Sequence, residues 1–147
     1  MRFSKLTSVK APERGTPESA GIDFFIPDYA FDELFFELLP GNRVNLPSGI
    51  KMDVPDGYAL VAFNKSGVSL KKGLTVGASV VDSDYQGEIH LSLVNTSNHP
   101  VTLYPGEKIV QFLLIPINFV ELEEVELGKL FDSITVRGEG RFGSTNK

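Results

Sequence analysis

Apolar and polar residues alternate over several short stretches of this chain, and the alternation predicts β-strands. Within EIHLSLVN, Ile89, Leu91 and Leu93 alternate with polar residues, which places the apolar side chains on one face of a strand. The clearest predicted strands cover residues 22–26, 49–54, 58–63, 88–94 and 108–115. Turn-forming residues separate them, as in Pro-Asp-Gly at 55–57. Many short strands joined by turns are typical of a β-sandwich or barrel.

Two segments depart from the alternating pattern. DYAFDELFFELL, at residues 28–39, places four apolar residues at helical spacing and predicts either a short helix or an inserted loop with a buried face. SGVSLKKG, at residues 66–73, is a second candidate for a short helix. Its two lysines lie near the predicted end of the helix, where the helix dipole favours positive charge.

Composition narrows the class of protein. The chain has 147 residues, enough for one domain with a sizeable core and no need of a metal or disulfide. Its net charge of -5 disfavours nucleic-acid binding, so an anionic ligand would need cations placed locally. The absence of cysteine excludes disulfides, thiolate zinc sites and a cysteine nucleophile. The N-terminus lacks the apolar core of a signal peptide, and no apolar run is long enough to span a membrane, so we expect an intracellular protein.

The densest group of reactive side chains lies in VVDSDYQGEI, residues 80–89. Asp82 and Asp84 flank a serine, and Tyr85 follows them. An acid on a turn that leaves an apolar strand suits a general base, because its carboxylate is held rigidly towards a water. The alternative is a β-hairpin whose turn simply prefers Asp, Ser and Gly.

Three other positions have both a structural and a functional interpretation. Asp23 lies among apolar residues and either bonds backbone amides or holds a metal through water. FNKSGVS, at residues 63–69, is either a phosphate cradle or an ordinary helix start. Gln111 interrupts the apolar run IVQFLL, where its amide either fixes a substrate or loop or faces solvent.

The order of these motifs along the chain resembles that of the trimeric deoxyuridine triphosphate nucleotidohydrolases, the dUTPases. The resemblance spans nearly the whole chain. It rests on AGID at 20–23, KSG at 65–67, VGASVVDSDYQGEI at 76–89, PGEKIVQF at 105–112 and RGEGRFGST at 137–145.

The resemblance implies an all-β jelly-roll subunit with one short helix, formed by residues 1–132, and a flexible C-terminal arm at residues 133–147. It implies a homotrimer with active sites at the subunit interfaces, without nucleic-acid or membrane partners. The implied reaction is hydrolysis of dUTP to dUMP and pyrophosphate with Mg²⁺. Asp82 would be the base that deprotonates the water attacking the α-phosphorus, and Asp23 would position the metal through its waters.

Substrate-binding roles also follow from the resemblance, residue by residue. Tyr85 would lie against the deoxyribose, and the backbone of a hairpin from Val80 to Ile89 would contact the uracil edge. The remaining implied contacts, mostly to phosphate, come from Lys65, Ser66, Gly67, Gln111, Arg137, Gly143, Ser144 and Thr145, while Phe142 would stack on the uracil. These assignments suit a triphosphate, whose cleavage needs charge neutralisation and alignment more than a covalent nucleophile.

Four residues depart from the family pattern. Lys65 replaces the arginine of the second motif, which keeps the charge but loses the planar fork. Ser79 stands where the third motif usually has glycine, and Arg141 and Asn146 replace glycines in the tail. Arginine would be strained at position 141 if the family uses a positive φ there, or it would add a phosphate contact.

Two other functions compete with this hypothesis. A dCTP deaminase on the same fold would attack the cytosine ring and release ammonia. A nucleotide-sensing or protein-binding module would keep the pocket and use residues 28–39 as a further surface, where an exposed apolar patch would indicate a partner.

Overall fold

Strands and one short α-helix make up most of the regular structure of residues 1–141, which are the residues that the computed structural model describes. The strands are β1 (Arg2–Lys5), β2 (Ile22–Phe25), β3 (Phe36–Leu38), β4 (Arg43–Pro47), β5 (Ile50–Asp53), β6 (Tyr58–Asn64), β7 (Leu74–Val76), β8 (Val80–Val81), β9 (His90–Asn95), β10 (Val101–Leu103) and β11 (Lys108–Pro116). The helix α1 covers Ser66–Lys72, and short 3-10 helices cover Asp28–Ala30 and Leu127–Lys129. The five predicted strands are therefore confirmed, with ends that differ by one or two residues.

The strands pair in four antiparallel sheets. One sheet has the order β2-β11-β6-β8 and another the order β4-β9-β7, while β1 pairs with β5 and β3 with β10. Neighbours within a sheet are rarely consecutive in sequence, so the chain crosses between sheets as it does in Greek-key sandwiches. The predicted turn at residues 55–57 joins β5 to β6, which belong to different sheets.

Side chains from all four sheets meet in one hydrophobic core. Phe24 of β2 and Phe112 of β11 pack with their ring centroids 4.7 Å apart. In β9, Leu91 and Leu93 are buried and His90 is exposed, as the alternation predicts. Buried Asn95 ends that face of β9 and donates to the carbonyl of Leu38 at 2.8 Å, so the buried amide is satisfied.

The predicted helix at residues 66–73 is confirmed as α1. It ends at Gly73, which adopts the left-handed conformation with φ 66° and donates its backbone N–H to the carbonyl of Ser69. Glycine suits this position because side chains are strained at positive φ. A Cβ there would also lie 2.6 Å from the Cβ of Ser97.

Of the two structures predicted for residues 28–39, a short helix or an inserted loop with a buried face, the helix is wrong. Only Asp28–Ala30 form a 3-10 turn, and Phe36–Leu38 form β3, which pairs with β10. Leu34 is 87% exposed, so the helical spacing of apolar residues does not bury one face. Backbone pairing with β10 and the stacking of Phe31 on Phe36, with centroids 5.4 Å apart, stabilise the observed conformation instead.

The chain leaves the core after β11. Residues 116–139 are all exposed, including large apolar side chains such as those of Leu122 and Ile134. Among the described residues, no helix is long and apolar enough to cross a membrane.

Candidate active site

The loop from Asp82 to Ile89 forms one wall of a cavity of about 240 Å³. It leaves β8, which is held to β6 through the pairs Leu60 with Val81 and Val61 with Val80. It then enters β9, which pairs with β4 and β7 in another sheet. The expected hairpin from Val80 to Ile89 is therefore wrong, because the strands on its two sides belong to different sheets. The loop instead bridges the two sheets, and the cavity opens between them.

The cavity has a buried apolar floor and a polar rim. Ile89 and Phe112 are buried, whereas Asp82, Tyr85 and His90 are exposed at the rim. Its lining residues are Asn45, Ala78, Ser79, Val80, Val81, Asp82, Tyr85, Glu88, Ile89, His90 and Phe112. An apolar cavity with a few polar groups at its edge is typical of a small-ligand site, and the Asp82 carboxylate is open to water there.

Tyr85 is held in one orientation by its own loop. Its hydroxyl donates to the carbonyl of Glu88 at 2.9 Å, and its backbone N–H donates to the carbonyl of Asp82 at 3.2 Å. A Cβ at Gly87 would overlap the ring and the hydroxyl of Tyr85. Glycine at this position therefore leaves room for the tyrosine, which lies along the cavity wall.

Glu88 ties this loop to the rest of the fold. Its carboxylate accepts a hydrogen bond from the backbone N–H of Gly49 at 2.7 Å. The hydroxyl of Tyr29 lies beside Gly49, within 2.8 Å of where a Cβ on that glycine would be. Burial and the nearby Glu88 carboxylate raise the pKa of Tyr29 above its ordinary value. The segment at 28–39 thus touches the cavity loop through Tyr29, a contact that the sequence pattern does not indicate.

A second group of polar side chains surrounds Asp23 in β2. This residue is only 6% exposed and is ion-paired with Lys65, which directly precedes α1. Lys108 of β11 lies 3.6 Å from the other carboxylate oxygen of Asp23 and 2.7 Å from the carboxylate of Glu13. Glu13 in turn pairs with Asp23 through two backbone hydrogen bonds. The buried carboxylate therefore has counter-charges on both of its oxygens.

The ion pair between Glu13 and Lys108 shifts both groups in the expected directions. The hydrogen bond from Lys108 lowers the pKa of Glu13, and the same contact raises the pKa of Lys108. Neither residue was indicated by the sequence motifs as a site residue. Lys108 lies three residues before Gln111 within the fourth motif, and this position was the one feature of the sequence that could have indicated it as a site residue.

Gln111 belongs to the Asp23 group. On β11 it lies between Asp23 of β2 and Phe63 of β6, and its amide donates to the carbonyl of Asn64 at 2.9 Å. A Cβ at Gly21 would overlap the side-chain amide of Gln111, so the glycine of the first motif makes room for it. The sequence left open whether the Gln111 amide fixes a substrate or loop or faces solvent. Its hydrogen bond to Asn64 agrees with a side chain that fixes a neighbouring segment of the chain.

The remaining predicted residues lie at the edge of the Asp23 group or away from both groups. Ser66 and Gly67 are exposed at the start of α1, next to Lys65. Arg137 is exposed, and its Nε donates to the carbonyl of Gly140 at 3.3 Å within a local turn. The predicted contacts of Phe142, Gly143, Ser144 and Thr145 lie outside the described residues.

The site residues within one chain therefore form two separate groups. Val80, Asp82 and Tyr85 line the cavity, whereas Asp23, Lys65 and Gln111 lie together around β2, β6 and β11. Within residues 1–141, no side-chain hydrogen bond or ion pair joins the two groups. Ser79 fits its position without strain, because no residue other than glycine has a positive φ in the described chain.

The fold and the loop-lined cavity define a jelly-roll protein with a polar-rimmed pocket. The family model for dUTPase matches residues 7–146. The deoxyuridine 5'-triphosphate nucleotidohydrolase of Alcanivorax borkumensis is 36% identical over 143 residues, covering 95% of this chain and 90% of the relative. The chain belongs to the dUTPase family.

Solved structures share the fold. The dUTPase of Staphylococcus bacteriophage 80alpha, solved with dUPNHPP, superposes with a TM-score of 0.81 at 24% identity, covering 98% of this chain and 96% of that one. A mutant dUTPase from phage phi11 of S. aureus, described as revealing the coordination of a structural Mg(II) ion, has a TM-score of 0.71 at 21% identity. It covers 85% of this chain and 95% of its own. These likenesses confirm the predicted jelly-roll architecture.

Proposed function

We propose that this chain hydrolyses dUTP to dUMP and pyrophosphate in nucleotide metabolism. The observation that supports this most strongly is the cavity of about 240 Å³, which carries an open carboxylate and an oriented tyrosine on a single loop. Because the chain belongs to the dUTPase family, dUTP is the proposed substrate of this cavity. We also propose that the protein is cytoplasmic or otherwise intracellular, because its proposed substrate is a nucleotide of the intracellular pool.

Asp82 is the proposed general base. Its exposed carboxylate at the cavity rim accepts a proton from a water molecule. The oxygen of that water bonds to the α-phosphorus, and the bond from the α-phosphorus to the bridging oxygen breaks on the opposite side. Pyrophosphate leaves with the bonding electrons. A water-attack mechanism needs no nucleophilic side chain, which agrees with a chain that contains no cysteine.

Tyr85 is the proposed residue that selects deoxyribose. Its hydroxyl donates a hydrogen bond to the Glu88 carbonyl at 2.9 Å, and this bond fixes the ring along the cavity wall. A rigid ring beside the sugar leaves no room for a 2′-hydroxyl, since a fixed wall cannot move to admit it. The loop backbone from Val80 onward is proposed to contact the uracil edge.

The triphosphate is proposed to bind at the second group of residues. Lys65 supplies positive charge, while Ser66, Gly67 and Gln111 supply polar contacts beside it. The arm at residues 133–147 would close over the nucleotide, with Arg137, Gly143, Ser144 and Thr145 on phosphate oxygens and Phe142 on the base. A lid of this kind excludes water from the reacting phosphorus.

We propose Mg²⁺ as the cofactor, held through water by Asp23. The described residues contain no group of three or more His, Cys, Asp or Glu side chains that could hold a metal ion. One carboxylate per site suits Mg²⁺, which keeps several waters and takes its other ligands from substrate phosphates. When bound, the ion neutralises charge on the triphosphate and fixes its geometry.

A homotrimer with sites at subunit interfaces is also proposed. Within residues 1–141, no side-chain hydrogen bond or ion pair joins the two groups of site residues, which agrees with a site that combines groups from different subunits. The segment at 116–139 carries exposed apolar side chains, including Phe119 at 73% and Leu122 at 96% exposure. Side chains of this kind are typical of a surface that another copy covers.

Hydrolysis in isotopically labelled water tests where the water attacks. Attack on the α-phosphorus places the label in dUMP, and mass spectrometry of the two products would detect it there. Label in pyrophosphate would mean attack on the β-phosphorus and would contradict the proposed reaction.

A further inference from the structure

Asp23 already has its counter-ions in the ligand-free chain. Its side chain is 9% exposed, one of its oxygens contacts the ammonium of Lys65, and the other lies 3.6 Å from the ammonium of Lys108. Lys108 also pairs with Glu13 at 2.7 Å. These two lysines and two carboxylates sum to zero charge, and Lys10 adds a positive charge close to Glu13. A dication approaching Asp23 would therefore meet no net negative charge and an ammonium already in place.

The two lysines differ in the number of carboxylates that they contact. Lys108 bridges Glu13 and Asp23, and its ammonium also lies 5.4 Å from the ring centroid of Phe25. Lys65 contacts only Asp23 among the ion pairs of residues 1–141, although its side chain is 23% exposed and that of Lys108 is 36% exposed. Lysine carries a point charge on a flexible four-carbon stem, whereas arginine presents a rigid fork. Lys65 therefore has a single ion pair to exchange, whereas Lys108 keeps its pair with Glu13 whatever contacts Asp23.

We propose that Lys65 is an exchangeable counter-ion of Asp23. In the free protein its ammonium keeps a divalent cation off this carboxylate, and a nucleoside triphosphate draws the ammonium onto its own phosphates. Asp23 then becomes free to accept the water shell of a cation that arrives with the nucleotide. This exchange rests on the proposed function, and it predicts that metal and nucleotide bind together rather than in sequence.

The test measures Mn²⁺ binding to the nucleotide-free, full-length protein by the loss of the free-ion paramagnetic resonance signal. Wild type is expected to bind weakly at Asp23. Lys65→Met removes the competing charge at similar length and is expected to bind at least about tenfold more tightly. Lys71→Met removes the same charge from an exposed position of the same helix and should match wild type. Lys65→Arg, which keeps the charge, should also match wild type.

A double variant assigns the gained binding to Asp23. Asp23→Asn combined with Lys65→Met should lose the gain, and persistence of the gain would overturn the proposal. Wild-type affinity in Lys65→Met would also overturn it. If Lys65→Met does not fold, Lys65→Gln answers the same question, and a melting curve with and without Mn²⁺ detects the same binding.

The readout needs no nucleotide, so it separates this exchange from the proposed reaction. Tighter Mn²⁺ binding by Lys65→Met without any dUTP cleavage by wild type would contradict only the proposed function. Cleavage by wild type without the gain in Lys65→Met would contradict only the exchange.

Discussion

The hydroxyl of Tyr85 donates to the carbonyl of Glu88 at 2.9 Å, three residues further along the same loop. The contact closes the loop on itself and sets the ring along the cavity wall. Glu88 is also held from outside the loop, because its carboxylate accepts from the N–H of Gly49. The orientation of the tyrosine therefore depends on the body of the fold as well as on the loop.

Gly87→Ala is expected to disturb this orientation without unfolding the protein. The new Cβ would overlap the Tyr85 ring, so the ring must move and its hydrogen bond to Glu88 is lost. We expect a higher KM for dUTP and a smaller preference for dUTP over UTP, by about tenfold. Steady-state kinetics on both nucleotides would measure this. Gly128→Ala is the matched control, because a Cβ there meets nothing within 4 Å. Unchanged discrimination in Gly87→Ala would show that ring orientation does not set specificity.

Asp82→Asn is expected to abolish most turnover and to leave nucleotide binding measurable. The amide keeps the shape of the carboxylate but cannot accept the proton of the attacking water, so kcat should fall by about 100-fold or more. Kinetics and calorimetric binding of a non-hydrolysable analogue would separate the two effects. Asp56→Asn, in the exposed turn between β5 and β6, serves as the control. Turnover by Asp82→Asn within a few-fold of wild type would reject Asp82 as the base.

Deletion of residues 137–147 is expected to reduce hydrolysis and to preserve the oligomer. Arg137 makes only a local contact with Gly140 in the described structure, so its removal costs the fold little. Loss of the proposed phosphate contacts should lower kcat/KM by about 100-fold. Light scattering after size-exclusion chromatography would report the assembly. Dissociation of the truncated protein would show that the arm is structural rather than a lid.

The ion pair between Glu13 and Lys108 predicts a pH-dependent contribution to stability. The pKa of Glu13 is lowered in the folded state, so its contribution is present above the ordinary value of 4.5 and is lost as the pH falls through the lower folded pKa. The melting temperature of Glu13→Gln should therefore lie slightly below that of wild type at neutral pH and converge with it in acid. Glu18→Gln, at an exposed position nearby, is the control. A difference that stays constant with pH would contradict this linkage.

Local patterns predicted the elements whose stability is mainly local or follows one clear periodicity. The alternation in β9 and the lysines and glycine at the end of α1 gave the correct element types. The helix alternative for residues 28–39 is wrong because the pairing of β3 with β10 overrides the helical spacing of apolar residues, one of which, Leu34, faces solvent. The expected hairpin at 80–89 failed because β8 and β9 pair with other strands of different sheets.

The motifs identified site residues, but not the contacts between them. The pairing of Asp23 with Lys65 joins two motifs that are far apart in sequence, and only the register of β2, β11 and β6 brings them together. Glu13 and Tyr29 lie outside every motif, yet one pairs with Lys108 and the other approaches Glu88. Contacts of this kind depend on tertiary packing, which periodicity and spacing do not encode.

Pyrophosphate release from dUTP, dTTP, dCTP and UTP, each with and without Mg²⁺, tests the proposed function most directly. We predict rapid release from dUTP with Mg²⁺, slow release from the other three nucleotides, and a large loss when Mg²⁺ is removed. Ammonia released from dCTP, with no pyrophosphate from dUTP, would contradict the account and would indicate a deaminase on the same fold.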